Sequence, residues 1–277
     1  AQVIVFPTPI TDAGTDVHIC SGSSDTLGAE SINGYDYVWS PSSGLSDTNI
    51  SNPVVSLTNP VVLTDTVFYN LLVTNLYNCV DSDDVMVTVN HLPISNAGND
   101  ISFCSGDTGN IGAPSIVGYD YLWTPTNGLS DSLIGDPNIS LVNTDTITDT
   151  LTYMVTTTVD SCSTTDTVTV IVYPLPYVDA GLDTSVCSGL GIQIGSPAIS
   201  NYIYSWTPIN GLDDPSLSNP TVTWINNDSL PDTLIYEVEV IHALTTCIQK
   251  DSMELVVFPR PDSNLIVGSV SICPGAD

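Results

Sequence analysis

The chain repeats itself about every 84 residues, and that period limits what it can fold into more than any other feature. Residues 34–47 read GYDYVWSPSSGLSD, residues 118–131 read GYDYLWTPTNGLSD, and residues 201–214 read NYIYSWTPINGLDD. Each copy opens on an Ala-Gly turn, DAGTD at 12–16, NAGND at 96–100 and DAGLD at 179–183. Each closes on an alternating strand followed by proline: VMVTV before Leu92-Pro93, VTVIV before Pro174, MELVV before Pro259. A period of this length marks an array of similar units stacked in series. The expected boundaries are a last strand and linker from a preceding copy over 1–8, full copies over 9–92, 93–175 and 176–259, and the start of a truncated fourth over 260–277.

Within a copy, branched and aromatic residues come in bursts of four to eight, split by Gly, Pro, Asn, Asp and Ser. That is the pattern of β-strands and turns, with no helical period of useful length. In the first copy it predicts strands at Val17–Cys20, Asp25–Ala29, Tyr35–Ser40, Val54–Leu57, Thr66–Thr74 and Val85–Val89. Tyr35, Tyr37 and Trp39 alternate with Asp36 and Val38, so the aromatics share one face. Six or seven strands in such a unit predict an all-β fold of tandem two-sheet sandwiches.

Charge narrows the list of partners. Two basic residues, Lys250 and Arg260, stand against 31 acidic ones, for a net charge of −29. Such a surface repels nucleic acid and anionic headgroups, so neither nucleic acid nor direct membrane insertion is expected. No apolar run is long enough to span a bilayer as a helix. Hydrophobic residues make up 42% of the chain, too many for a disordered acidic tail.

The seven cysteines follow the same period. Cys20, Cys104, Cys187 and Cys273 hold one position, and Cys79, Cys162 and Cys247 another. Each full copy therefore contains a pair about 60 residues apart. The spacing predicts bridges Cys20–Cys79, Cys104–Cys162 and Cys187–Cys247, with Cys273 unpaired, and an oxidising, extracellular setting.

With these residues in view, the chain resembles the immunoglobulin-like and PKD-like tandem repeats of large Bacteroidetes cell-surface proteins, of the adhesin and gliding-motility-associated type. The carriers are the DAGxD opening, the tryptophan 19 residues after each first cysteine (Trp39, Trp123, Trp206), and an Asp-Thr-x-x-Tyr corner ending at Tyr69, Tyr153 and Tyr236. The corner looks like the tyrosine corner of immunoglobulin domains, where the hydroxyl anchors a turn. The resemblance implies core roles for those aromatics. It departs in one respect: the second cysteine follows the tyrosine by about ten residues, so a bridge would tie an early edge strand to a turn rather than pin the two sheets together.

Little in the sequence suggests catalysis. His18, His91 and His242 occupy unrelated positions in their copies, and no zinc spacing, phosphate loop or nucleophile elbow occurs. The notable aspartates recur in every copy, as fold-supporting residues do. Calcium is the one cofactor the chain suggests, through Asp12, Asp16, Asn96, Asp100, Asp179 and Asp183 beside the linkers; the competing reading is turn chemistry. Asp-Ser/Thr triplets followed by an apolar residue or Thr resemble O-glycosylation sites of Bacteroidetes proteins, which nominates Thr26, Ser132, Thr146, Thr167, Ser229 and Ser252. The sequence therefore points to a non-catalytic, extracellular fibre, filament or adhesin stalk, a semi-rigid rod partnered by its own neighbouring repeats and by lateral copies in a filament. The alternative is a ligand- or carbohydrate-binding module of a larger secreted protein, for which Trp224, absent from the other copies, is the sole candidate platform.

Overall fold

A computed structural model describes residues 2–260, so the expected fourth copy at 260–277, with Cys273, lies outside the described residues except for Arg260. Among the described residues, eighteen strands occur in three sets of six. The first set is β1 (Val17–Cys20), β2 (Ser24–Thr26), β3 (Tyr35–Ser40), β4 (Val54–Ser56), β5 (Asp65–Asn75) and β6 (Val80–Asn90). The second is β7 (Ile101–Cys104), β8 (Thr108–Asn110), β9 (Asp120–Thr124), β10 (Asn138–Ser140), β11 (Asp149–Val159) and β12 (Cys162–Tyr173). The third is β13 (Thr184–Cys187), β14 (Gly191–Gln193), β15 (Tyr202–Thr207), β16 (Thr221–Thr223), β17 (Asp232–His242) and β18 (Ile248–Phe258).

Each set forms a four-stranded sheet, ordered β1-β6-β5-β3 in the first copy, and a two-stranded sheet, β2-β4. The opening strand runs parallel to the closing one: Val17 pairs with Val87 and Cys20 with Asn90. The other pairings are antiparallel. This strand order is that of an immunoglobulin-like sandwich, and it recurs unchanged in the other two copies. The hairpin of the long sheet is longer than the sequence predicts. Residues 81–84, Asp-Ser-Asp-Asp, precede the predicted strand Val85–Val89 but lie inside β6, with Asp83 opposite Leu71 and Asp81 opposite Val73. Asp81, Ser82 and Asp84 are exposed, Asp83 is half-buried, and the backbone completes the ladder, so polarity alone does not break the strand.

Alternation builds the core. Along β5, Tyr69, Leu71 and Val73 are buried while Phe68 and Leu72 face out, and Val85, Val87 and Val89 of β6 join the buried set. Leu27, Trp39 and Val55 complete the cluster from the other strands and the β2–β3 connection. Trp39, Trp123 and Trp206 are each at most 2% exposed and donate Nε1–H to a carbonyl eleven residues on, at Ile50, Ile134 and Leu217, at 2.9–3.0 Å. Tyr69, Tyr153 and Tyr236 are fully buried and donate their hydroxyls to the carbonyls of Ser43, Asn127 and Asn210. Burial pushes all three phenols above their ordinary pKa.

Two anchors are not apparent from hydrophobic pattern. Gly28 has φ +70°, and a Cβ there would meet the Ser51 carbonyl oxygen at 2.1 Å; Gly112 and Gly195 stand in the same situation. Their amides donate to Ala13, Ala97 and Ala180, which fixes the opening segment of each copy. The second anchor is a buried asparagine, Asn59, Asn143 and Asn226, whose Nδ2 donates to two carbonyls. For Asn143 these are Ile147 at 2.7 Å and Val172 at 2.9 Å. Asn143→Ala leaves both without a donor and should cost about 1–3 kcal/mol in a denaturant melt, with Asn143→Asp no better. Thr157 gives the opposite case. It is fully buried and its hydroxyl has no partner, so Thr157→Val should stabilise by about 1 kcal/mol in the same assay.

Contacts group the described residues into two compact units. The first takes residues up to 99, with 110–138 and 152–168; the second takes 100–109, 139–151 and residues from 169 on. The first sandwich lies in the first unit, the third in the second, and strands of the middle sandwich contribute to both.

Candidate functional site: the stapled junctions

The predicted cysteine pairing is wrong, and the strand topology explains why. The bridges are Cys20–Cys162 and Cys104–Cys247, each with Cα atoms 5.6 Å apart, spanning 142 and 143 residues of sequence. Cys79 is a free thiol, and Cys187 is disulfide-bonded. None of Cys20–Cys79, Cys104–Cys162 or Cys187–Cys247 forms. Within one copy, β1 runs parallel to β6, so Cys20 sits opposite Asn90 at the end of that strand. Cys79 immediately precedes Val80, where β6 begins. Ten residues of strand at about 3.4 Å each put roughly 34 Å between them, against a limit near 7 Å for a bridge. The cysteine after the first strand and the cysteine of the hairpin turn lie at opposite poles of a sandwich. They meet only when one copy's tail pole stacks on the next copy's head pole.

In the first unit, the Cys20–Cys162 bridge is surrounded by further links between the first sandwich, its linker and the middle copy's hairpin. Asn90 Nδ2 donates to the Asp160 carbonyl at 3.2 Å. The His91 ring, 8% exposed, is hydrogen-bonded to the Tyr119 hydroxyl at 3.0 Å. Thr164 Oγ1 donates to the Pro93 carbonyl at 2.8 Å. Asp160 and Ser161 both adopt positive φ, which turns Cys162 inward to 1% exposure. His91 thus belongs to the junction rather than the open surface.

In the second unit, Cys104–Cys247 plays the same part, and Cys247 is fully buried. Tyr202 stacks edge-on against His242 with centroids 5.6 Å apart, and its hydroxyl accepts the Tyr177 amide. The linker residues Pro174, Leu175 and Tyr177, together with Asn143, Tyr202 and His242, line an open cleft of about 550 Å³. Asp145 also lines it, and His242 Nδ1 accepts the Thr245 amide at 3.2 Å.

The linker aspartates and Asn96 each accept a backbone amide. Asp12 accepts from Gly14, Asn96 from Gly98 and Asp179 from Gly181, each at 2.9 Å. Asp16 accepts from Met86, Asp100 from Thr169 and Asp183 from Glu254, at 2.8–2.9 Å. A third set, Asp83, Asp166 and Asp251, takes the amides of Ala13, Ala97 and Ala180 at 2.8 Å. Together they clamp the opening segment of each copy onto its own closing strand. Among the described residues no group of three His, Cys, Asp or Glu is placed to hold a metal ion. The glycosylation candidates Thr26, Thr146, Thr167, Ser229 and Ser252 are exposed, and Ser132 is half-buried with its carbonyl accepting the Trp123 amide. Trp224 is not a platform: it packs on the third core and donates Nε1–H to Asp232 at 2.9 Å.

No family model matches the chain, and no curated protein sequence does. Among solved structures it is similar to the three-domain fragment I67–I69 of titin, at 10% identity and TM-score 0.47, over 93% of this chain and 100% of that one. It is also similar to extracellular domains 3–5 of Drosophila OTK, at 10% identity and TM-score 0.33, over 90% and 96%. A third is the insect immune protein hemolin, at 12% identity and TM-score 0.29, over 91% and 78%. These likenesses carry no argument about role; the immunoglobulin-like assignment rests on the strand order and register above.

Proposed function

We propose that this chain is a non-catalytic structural segment of an extracellular surface fibre or adhesin stalk, built to carry tension through successive immunoglobulin-like copies. The observation that carries this reading is the pairing of the cysteines. Each bridge joins the tail corner of one copy to the hairpin turn of the next, so neighbouring copies are covalently locked and not merely tethered by a linker. Bridges of this kind belong to an oxidising compartment. The strongly acidic surface keeps a long array soluble and resists nonspecific association. Its partners in this reading are neighbouring repeats and lateral copies in a filament.

Proteinase K shaving of intact producing cells should release peptides of this chain, and a glycan array should show no saturable binding. Retention of the chain inside the cells, or tight binding to one sugar, overturns the proposal.

Calcium enters this reading only at the linkers, where a cation would screen the repulsion between acidic copies. The recurring aspartates that hold each opening segment accept backbone amides. Adding a chelator should therefore leave the thermal midpoint unchanged within about 1 °C, since a shift of several degrees corresponds to about 1 kcal/mol for domains of this size.

A further inference from the structure

We propose that Cys79 is a receiving half of the same staple: a modification site that takes a disulfide from the tail-corner cysteine of another immunoglobulin-like copy seated on the head pole of the first sandwich. The inference rests on the stapled-copy reading above and extends it to a cysteine that has no disulfide partner among the described residues. Cys162 and Cys247, which occupy the equivalent place in the hairpin turns of the other two copies, are both bridged to the tail corner of the copy before. Cys79 is the same residue in the same turn, with its thiol free. Its burial differs in the way a missing cover demands: Cys162 and Cys247 are at most 1% exposed, whereas Cys79 is only half-buried.

A second, independent observation places the incoming cysteine. In the three sheets, the tail-corner cysteines Cys20, Cys104 and Cys187 pair with Asn90, Tyr173 and Phe258, the last residues of the closing strands. Asn90, beside Cys20, reaches Asp160, two residues before Cys162. Phe6 occupies the position of Asn90, Tyr173 and Phe258 relative to the linker prolines and the Ala-Gly turn that follow. It stacks on Tyr77, two residues before Cys79, with centroids 4.0 Å apart and planes 9° from parallel. Asn75 adds a hydrogen bond to the Pro7 carbonyl at 2.9 Å. The residue that flanks the donor cysteine elsewhere is already seated on the turn of Cys79. Cys20 cannot serve as donor, being at the far pole and already bridged to Cys162.

The chemistry is thiol–disulfide exchange with a low-molecular-weight or protein disulfide as oxidant. The Cys79 thiolate attacks one sulfur of the oxidant and releases the other as a thiolate. The incoming cysteine's thiolate then attacks the Cys79 sulfur of that mixed disulfide and releases the second half. Two thiols lose two electrons and two protons, and the oxidant leaves as two thiols. The donor is expected in a Cys-x-Gly setting, as in Cys20-Ser21-Gly22, Cys104-Ser105-Gly106 and Cys187-Ser188-Gly189.

The test is non-reducing peptide mapping of the protein isolated from its producing cells, with free thiols alkylated at lysis. Cleavage at acidic residues separates Cys20, Cys79 and Cys162 onto different peptides. The expected result is the Cys79 peptide joined to a Cys-x-Gly peptide. Cys79 joined to Cys20, Cys104 or Cys187, each already bridged, overturns the proposal, and Cys79 joined to any other Cys-x-Gly peptide supports it. Cys79 recovered alkylated, or carrying only a small thiol, overturns the proposal. The Cys20–Cys162 peptide in the same digest separates the two readings: its presence beside an alkylated Cys79 sinks this inference alone, and its absence strikes the staple itself. The purified chain offers a second measurement. Oxidised glutathione should load one equivalent onto the wild type and none onto Cys79→Ser, with the thermal melt of that variant unchanged; loading that persists in Cys79→Ser counts against an accessible Cys79 thiol.

Discussion

Pulled from its two ends, the oxidised chain should lengthen far less than the reduced one, with a difference of at least about 570 Å in contour length. The two bridges create a covalent short cut. Tension entering at Cys20 crosses to Cys162, runs back through the middle copy to Cys104, and crosses to Cys247. Only the 58 residues from Cys162 back to Cys104 can be drawn out, instead of the 227 from Cys20 to Cys247. At about 3.4 Å per extended residue the oxidised segment reaches about 200 Å and the reduced one about 770 Å. Single-molecule force spectroscopy with and without a reductant reads the difference directly. Equal contour lengths in the two conditions would mean that the bridges are absent. Bridges within single copies, as the cysteine spacing alone suggested, would also shorten the oxidised chain, by about 600 Å, so the pairing itself is read by peptide mapping.

That error is instructive about what a repeat can reveal. Strand positions, the buried tryptophans and the tyrosine corner were legible because each is a local pattern restated three times: alternation, a Trp on an aromatic-rich strand, Asp-Thr-x-x-Tyr. Cysteine pairing is not local. In an array, pairing within a copy and pairing between successive copies repeat with the same period, so spacing cannot choose between them. The choice is made by strand direction: once β1 runs parallel to β6, the tail corner and the hairpin turn are at opposite ends of the sheet. The departure from antibody domains, a second cysteine in the turn rather than in the middle of a strand, already carried that signal. The recurring aspartates were ambiguous for another reason. A short carboxylate beside a glycine turn suits either a cation or a backbone amide, and here every one at the linkers accepts an amide. Asn59, Asn143 and Asn226 were missed although their spacing matches the repeat, because a lone Asn in a loop has no hydrophobic pattern to mark it.

Reduction should also destabilise the copies unequally, with the middle one losing about twice as much as the first. Consider one copy unfolding while its neighbours stay folded. For the first copy, Cys20 remains pinned to the folded middle copy and closes a loop of roughly 70 residues, which by loop-closure entropy raises the free energy of the unfolded state by about 4 kcal/mol. The third copy is restrained in the same way through Cys247, and carries the Cys187 disulfide besides. The middle copy contains both Cys162 and Cys104, so its unfolded chain is pinned at two points and loses about twice as much entropy, about 8 kcal/mol. Native-state hydrogen exchange read by mass spectrometry resolves the copies, because the amides of β5–β6, β11–β12 and β17–β18 each report their own opening. On reduction, protection in β11–β12 should fall by about 8 kcal/mol, or to the point of unfolding, while β5–β6 loses about half as much. The single substitution Cys162→Ser should weaken the first copy and the middle copy and leave β17–β18 near its oxidised value, since repeat arrays couple to nearest neighbours. A uniform loss across all three hairpins would mean the copies unfold as one body, and an unchanged middle copy would mean the bridges constrain nothing that the folded interfaces do not already hold.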